Sequence, residues 1–181
     1  MNKPLIISLS GKAGSGKDTV ASIIEEELSS SRFRTYSLAF ADHLKYQLEE
    51  LGWDGVKDTR GRAFLQELAD TVKHYHGESY YATETVQEIK SFGDTPNTVF
   101  IITDTRYKYE LEALREVGHV LAIYVKRDFE STLTPKQTSH SSENSISEES
   151  LDYVIENHDL AELRYSVKIL LDIIGIKYLE D

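Results

Sequence analysis

The run Ser8-Leu9-Ser10-Gly11-Lys12-Ala13-Gly14-Ser15-Gly16-Lys17-Asp18-Thr19 constrains this chain more than any other stretch. It follows the apolar Leu5-Ile6-Ile7 and leads into Val20-Ala21-Ser22-Ile23-Ile24-Glu25-Glu26-Glu27-Leu28. Gly11 and Gly16 stand at the spacing G-x-x-x-x-G-K, with Lys17 directly after the second glycine, which is the spacing of a phosphate-binding loop. Phosphate oxygens need several backbone N–H groups converging on them, and glycine lets the backbone come that close. A helix starting at Lys17 adds its unsatisfied amides and the positive end of its dipole. Lys17 then serves the β- and γ-phosphates as a mobile point charge. A flexible Gly/Ser turn before an ordinary helix is the plainer reading, but strand, loop and helix arrive here in the required order.

The loop departs from the standard pattern at one position. A Ser or Thr that holds Mg²⁺ normally follows the lysine; here Asp18 does, and Thr19 comes next. A carboxylate is a good hard-oxygen ligand for Mg²⁺. Asp18 is equally suited to the first turn of a helix, where the dipole favours it, with Thr19 on the α-phosphate. The sequence leaves both roles open.

Composition narrows the partners. Against 31 Asp+Glu stand 20 Lys+Arg, a formal net charge of −11, which repels a polyanion and argues against a nucleic-acid polymer. The absence of cysteine excludes disulfides, thiolate metal sites and thiol catalysis. No run approaches the roughly 20 apolar residues of a membrane span. The N-terminus runs straight into the first strand, so a cytoplasmic protein is expected. The 181 residues suit one domain.

Hydrophobic periodicity then orders the chain. Val20, Ile23, Ile24 and Leu28 share one helical face. Thr35-Tyr36-Ser37-Leu38-Ala39-Phe40 reads as a second strand. A helix after Asp42 places Leu44, Leu48 and Leu51 in register and stops at Gly52. The polar connector 54–61 precedes two more helical patterns, one of Phe64, Leu68, Val72 and Tyr75, the other of Ala82, Val86 and Ile89. Behind the turn cluster 93–97, Val99-Phe100-Ile101-Ile102 is continuously apolar, as in a strand covered on both faces. A helix with Tyr107, Leu111 and Leu114 inward ends near Gly118. Val120–Val125 is the fourth strand and Tyr153-Val154-Ile155 the fifth. A last helix carries Leu160, Leu163, Val167, Leu170 and Ile174. The 11 tyrosines, mostly on apolar faces, read as core.

Strands separated by helices call for a parallel α/β sheet. Two connections are longer than a crossover needs: about three helices between the second and third strands, and a polar stretch, residues 128–150, between the fourth and fifth. Ligands sit beyond the carboxyl ends of such strands, where these insertions would build a second substrate site and a lid that orders on closure.

Five stretches together resemble the bacteriophage-type deoxynucleoside monophosphate kinases, a branch of the P-loop kinases related to adenylate kinase. They are Ser10–Thr19, Phe40-Ala41-Asp42-His43-Leu44-Lys45, Arg62-Ala63-Phe64-Leu65-Gln66, Thr103-Asp104-Thr105-Arg106-Tyr107 and His140-Ser141-Ser142-Glu143. The resemblance implies a single three-layer P-loop domain over 1–181, with a five-stranded parallel sheet in the order 2-3-1-4-5. It also implies an NMP-binding insertion at about 41–95, a lid at about 128–150, and ATP with Mg²⁺ as cofactors. Ala69 stands where the family has glycine, Lys73 where it has arginine, and Tyr80 or Tyr81 where it has tryptophan. These departures fall in the insertion, so they bear on base and sugar preference more than on the reaction.

Each candidate residue also has a plainer role. The expected ATP contacts are Gly11, Lys12, Ala13, Gly14, Ser15, Gly16, Lys17, Asp18 and Thr19. Asp104 ends a strand where an acid would reach Mg²⁺, or it caps the helix beginning near Arg106. Arg106 suits the acceptor phosphate, or a surface ion pair with Glu110, which lies four residues on and would orient the guanidinium. Asp42, Lys45, Arg62 and Gln66 are the remaining acceptor-site candidates; Arg60 flanks Gly61 as Arg62 does, and for both a solvated surface position is the alternative. Lys126 and Arg127 end the fourth strand as the lid begins, Arg127 being the preferred lid cation and Lys136 a weaker one. His140 lacks partners at zinc-ligand spacing.

The expected reaction is transfer of the γ-phosphoryl of ATP to a deoxynucleoside 5′-monophosphate, with Lys17, Arg106 and Arg127 as catalytic cations. A P-loop kinase for another phosphorylated small molecule, such as phosphomevalonate, and a nucleotide-binding protein without turnover are the alternatives. Partners are small nucleotides, with no polymer and no membrane, and a homodimer is left open.

Overall fold

The computed structural model describes residues 3–93, 97–127, 146 and 150–178. Five strands, β1 (Leu5–Ser10), β2 (Arg34–Leu38), β3 (Thr98–Ile102), β4 (His119–Lys126) and β5 (Tyr153–Glu156), form one sheet in the order β2-β3-β1-β4-β5. Every neighbouring pair is parallel. All five carboxyl ends therefore open on the same side. The order and the α/β class agree with the sequence reading.

The helices are α1 (Lys17–Leu28), α2 (Phe40–Glu50), α3 (Thr59–His76), α4 (Tyr80–Ser91), α5 (Lys108–Val117) and α6 (Leu160–Tyr178). Alternation along the strands sends successive side chains to opposite faces. Ile7, Leu9, Ile101 and Ile123 pack on Val20, Ile23 and Ile24 of α1 and on Leu163 and Val167 of α6. Ile6, Phe100 and Ile102 pack on the other face, against Phe40, Ala82, Ile89 and Leu114. The result is three layers, and β3, covered on both sides, is buried at all five positions. Burying each large aliphatic side chain of α1 contributes about 1.5–3 kcal/mol, so packing holds the helix behind the glycine loop in place.

The segment between β2 and β3 has its own small core. Leu44, Leu48 and Tyr81 are buried there against Trp53, Phe64, Leu65, Leu68 and Val72. Its second helix, α3, starts where the Asp58 carboxylate accepts the Gly61 amide at 2.7 Å, an N-cap inside what reads from sequence only as a polar connector.

Several boundaries differ from the sequence reading. Phe40 is the first residue of α2, not the last of β2, because the amides of the helix start have two carboxylates to bind, one of them 64 residues away. Leu51 follows α2 as its C-terminal cap and is exposed, and Tyr75 is 83% exposed. The tyrosines divide: Tyr81 is buried, whereas Tyr46, Tyr75 and Tyr165 project outward.

Candidate active site

The glycine loop folds as its spacing demands. Gly11, Gly14 and Gly16 all have positive φ, at 141°, 78° and 100°, where a side chain is strained. A Cβ on Gly11 would also run into the Val125 carbonyl, and one on Gly16 into the Asn157 side chain. The turn is closed by Ser15 N–H donating to the Lys12 carbonyl at 3.1 Å, and α1 begins with Val20 N–H donating to Gly16. The Lys17 ammonium donates to the carbonyls of Gly11 (2.8 Å) and Lys12 (3.0 Å). It thus arches back over the Gly11–Lys12 end of the loop. Lys12, Ala13, Asp18 and Thr19 are exposed at the mouth. Among the described residues the buried Ser15 hydroxyl has no hydrogen-bond partner.

Beside the loop, the chain leaving β3 is fastened to β1. The Thr105 amide donates to the Leu9 carbonyl at 3.1 Å, and the hydroxyls of Ser8 and Thr105, both buried, share a hydrogen bond of 2.7 Å. This anchors Asp104 and Arg106 on either side of a fixed point.

Asp104 has a role that local reading does not show. Its Oδ1 accepts the Phe40 amide at 2.8 Å and its Oδ2 the Ala41 amide at 3.0 Å. It caps α2, not the helix that follows it. Burial pushes its carboxyl above the ordinary range; the two amides, then the charges of Arg106 and Lys45, pull it back. Asp42 completes the same helix start, accepting the Ala39 amide at 2.9 Å while pairing with Lys45 at 2.5 Å. Asp104, Asp42 and Lys45 thus meet at one helix N-terminus.

Glu110 also faces backbone. One of its oxygens accepts the amides of Arg106 (2.7 Å) and Tyr107 (2.9 Å), so it caps α5 and fixes the base of Arg106 through the main chain. The Arg106 side chain is exposed. The Lys73 ammonium lies 4.9 Å from the centre of the Tyr107 ring, which stacks on Tyr109. Burial above all pushes Glu110 up to about 7; the two amides lower it, the Asp104 charge raises it and Lys73 lowers it.

That shift gives a pH signature. Between its unfolded value near 4.5 and about 7, the folded protein keeps a proton that the unfolded chain gives up. The Glu110 contribution is therefore complete at low pH and lost as pH rises toward 7. Glu110→Gln keeps an oxygen for both amides but does not titrate. Thermal melts should show the variant gaining on wild type from pH 5 to pH 8; parallel curves would rule the effect out.

The other candidates lie around the rim. Arg62 turns back on its connector, its Nε donating to the Lys57 carbonyl at 2.9 Å. Gln66 is exposed on α3, and Lys126 and Arg127 are exposed where β4 ends. Lys136, His140 and most of the expected lid lie outside the described residues.

The comparisons bear on the whole chain. A family model described as deoxynucleotide monophosphate kinase matches residues 61–167. The chain belongs to this family. An adenylylsulphate kinase model matches residues 3–75, which include the glycine loop. No curated protein matches. Among solved structures, the APS kinase of Mycobacterium tuberculosis in complex with AMPPNP and APS is 13% identical, with a TM-score of 0.57 over 97% of this chain and 99% of that one. A sugar kinase from Janibacter sp. HTCC2649 is 14% identical, with a TM-score of 0.56 over 94% and 95%. The shikimate kinase of Bacteroides thetaiotaomicron is 11% identical, at 0.50 over 94% and 98%. At such identities these likenesses speak for the fold. The family member described here is thus a P-loop kinase with a five-stranded parallel sheet in the order β2-β3-β1-β4-β5. Among the described residues, no helix is long and apolar enough to cross a membrane.

Sequence reasoning missed Asn157, whose side chain reaches the loop from the end of β5 at 2.8 Å, and the Ser8–Thr105 tie. No local pattern marks either one, since their partners are 142 and 97 residues distant.

Proposed function

We propose that this kinase transfers the γ-phosphoryl of ATP to the 5′-phosphate of a deoxynucleoside monophosphate. An acceptor phosphate oxygen forms the new P–O bond, the bond between the γ-phosphorus and the β–γ bridging oxygen breaks, and ADP leaves. The nucleophile is already anionic, so alignment and charge neutralisation suffice, without a strong general base. The observation that carries the reading is the pairing of a glycine loop arched by Lys17 with an exposed Arg106 one strand away, on a chain whose family model spans the acceptor side.

In this reading Gly11–Thr19 hold the ATP phosphates, and Lys17 neutralises charge on the β- and γ-oxygens. Arg106 receives the acceptor phosphate on a base fixed by Thr105 and Glu110. Arg127 supplies a cation from the β4 end, and Asp42, Lys45, Arg62 and Gln66 lie toward the acceptor nucleotide. Mg²⁺ fits the donor set: Asp18 is exposed in the first turn of α1, and each Asp104 oxygen that takes one amide keeps a further lone pair. Bound there with ATP, the ion would neutralise phosphate charge.

The test is an ADP-release assay across the common deoxynucleoside and nucleoside monophosphates. At least one deoxynucleoside monophosphate should stimulate ADP release well above the rate with ATP alone. No stimulation by any of them would reject the assignment and favour a different acceptor.

A further inference from the structure

Asn157 belongs to none of the motifs above, yet it is 7% exposed and bonded in two directions. Its Nδ2 donates to the Ser15 carbonyl at 2.8 Å, and its backbone amide donates to the Lys126 carbonyl at 2.7 Å. It also fills the space beside Gly16 that a Cβ would need. We propose that Asn157 is a positioning residue for the donor phosphates, holding the Ser15–Gly16 peptide so that the Gly16 N–H faces the hollow of the loop.

The argument rests on peptide geometry. A trans peptide is planar, so its C=O and N–H point in opposite directions. Anchoring the Ser15 carbonyl outward aims the Gly16 N–H inward. Gly16 tolerates both signs of φ, so nothing in its own covalent structure prevents that peptide from turning over. Turned over, it would present a carbonyl oxygen to the phosphates where a donor is needed. The Asn157 side chain opposes that inversion, and its main chain ties the same point to Lys126, the residue before Arg127. The glycine loop and the end of β4 are thereby held at one residue.

This inference rests on the donor-site reading above, and the experiment separates the two. Binding of ATP and of inorganic tripolyphosphate is measured by calorimetry for wild type, Asn157→Leu and Asn157→Asp, with melting temperatures alongside. Leucine keeps the bulk and loses the donor; aspartate puts carboxylate oxygens against the Ser15 carbonyl. Asn157→Leu should weaken both ligands by about 10-fold, the scale of one buried hydrogen bond, and Asn157→Asp by more. The KM for the monophosphate should stay within about twofold of wild type, since loss of one donor-side contact acts on donor binding.

A loss confined to ATP, with tripolyphosphate unaffected, would place Asn157 on the nucleoside and overturn the inference. So would unchanged affinity for both ligands, whatever the melting temperature does. If either variant fails to fold, Asn157→Ala replaces it under the same criteria. A wild-type protein that binds tripolyphosphate but phosphorylates no monophosphate would reject the proposed function and leave this comparison standing.

Discussion

Replacing Lys17 with alanine should lower turnover by at least ~100-fold, the scale seen when one preorganised charge is removed from a transition-state site. The fold should survive. The Lys17 ammonium donates to the carbonyls of Gly11 and Lys12 in its own loop, and α1 is fixed by the packing of Val20, Ile23 and Ile24 on the sheet. Without the ammonium, the amides of the loop still bind phosphate, so ATP affinity should fall less than kcat. Lys17→Arg restores charge but not shape, and a planar fork does not replace a compact ammonium at a crowded loop; it should recover little. Turnover near wild type in Lys17→Ala would remove the glycine loop from the chemistry.

Arg106→Ala should cost about 2–3 kcal/mol of transition-state binding, roughly 30- to 150-fold, from lost charge-assisted hydrogen bonds to phosphate. The guanidinium fork suits two phosphate oxygens at once, and its backbone is held by Glu110 and Thr105, so little order has to be gained on binding. The loss should appear in the monophosphate KM and in kcat, with ATP affinity nearly unchanged. Weaker ATP binding with intact monophosphate kinetics would instead assign Arg106 to the donor. Arg106→Lys separates shape from charge, and an intermediate value is expected.

The glycine loop was legible because its chemistry is local: seven consecutive positions state the turn, the amides and the ammonium. The sheet was legible for a related reason. The run Val99–Ile102 has no polar face to offer, and a strand of that kind must lie inside a covered parallel sheet. What the sequence concealed is contact over distance. Asp104 offered itself as the cap of its own following helix, but it caps α2, whose first residue is 64 positions earlier. Phe40 looked like strand because its neighbours are β-formers; a carboxylate brought by β3 makes it helix. Glu110 stood one turn from Arg106, which suggested an ion pair; one of its oxygens accepts the main-chain amides of Arg106 and Tyr107.

The hydrogen bond between Ser8 and Thr105 has a bearing on how this enzyme could be redesigned. It ties β1 to the chain that leaves the adjacent β3, strands whose separation the sheet fixes at roughly 4.8 Å, and it lies just before the loop on one side and the Arg106 arm on the other. On the proposed reading, the gap across which the phosphoryl group travels is therefore a lattice constant of the sheet, not an adjustable property of either arm. Retuning the enzyme toward a larger or smaller base should then be feasible in α3, whose Phe64, Leu65, Leu68 and Val72 rest on the separate small core of Leu44, Leu48 and Tyr81, whereas α4 also packs on the sheet through Ala82 and Ile89. Libraries confined to the α3 face should yield altered base preference at near-parental kcat, whereas libraries over 103–106 should yield mostly inactive protein.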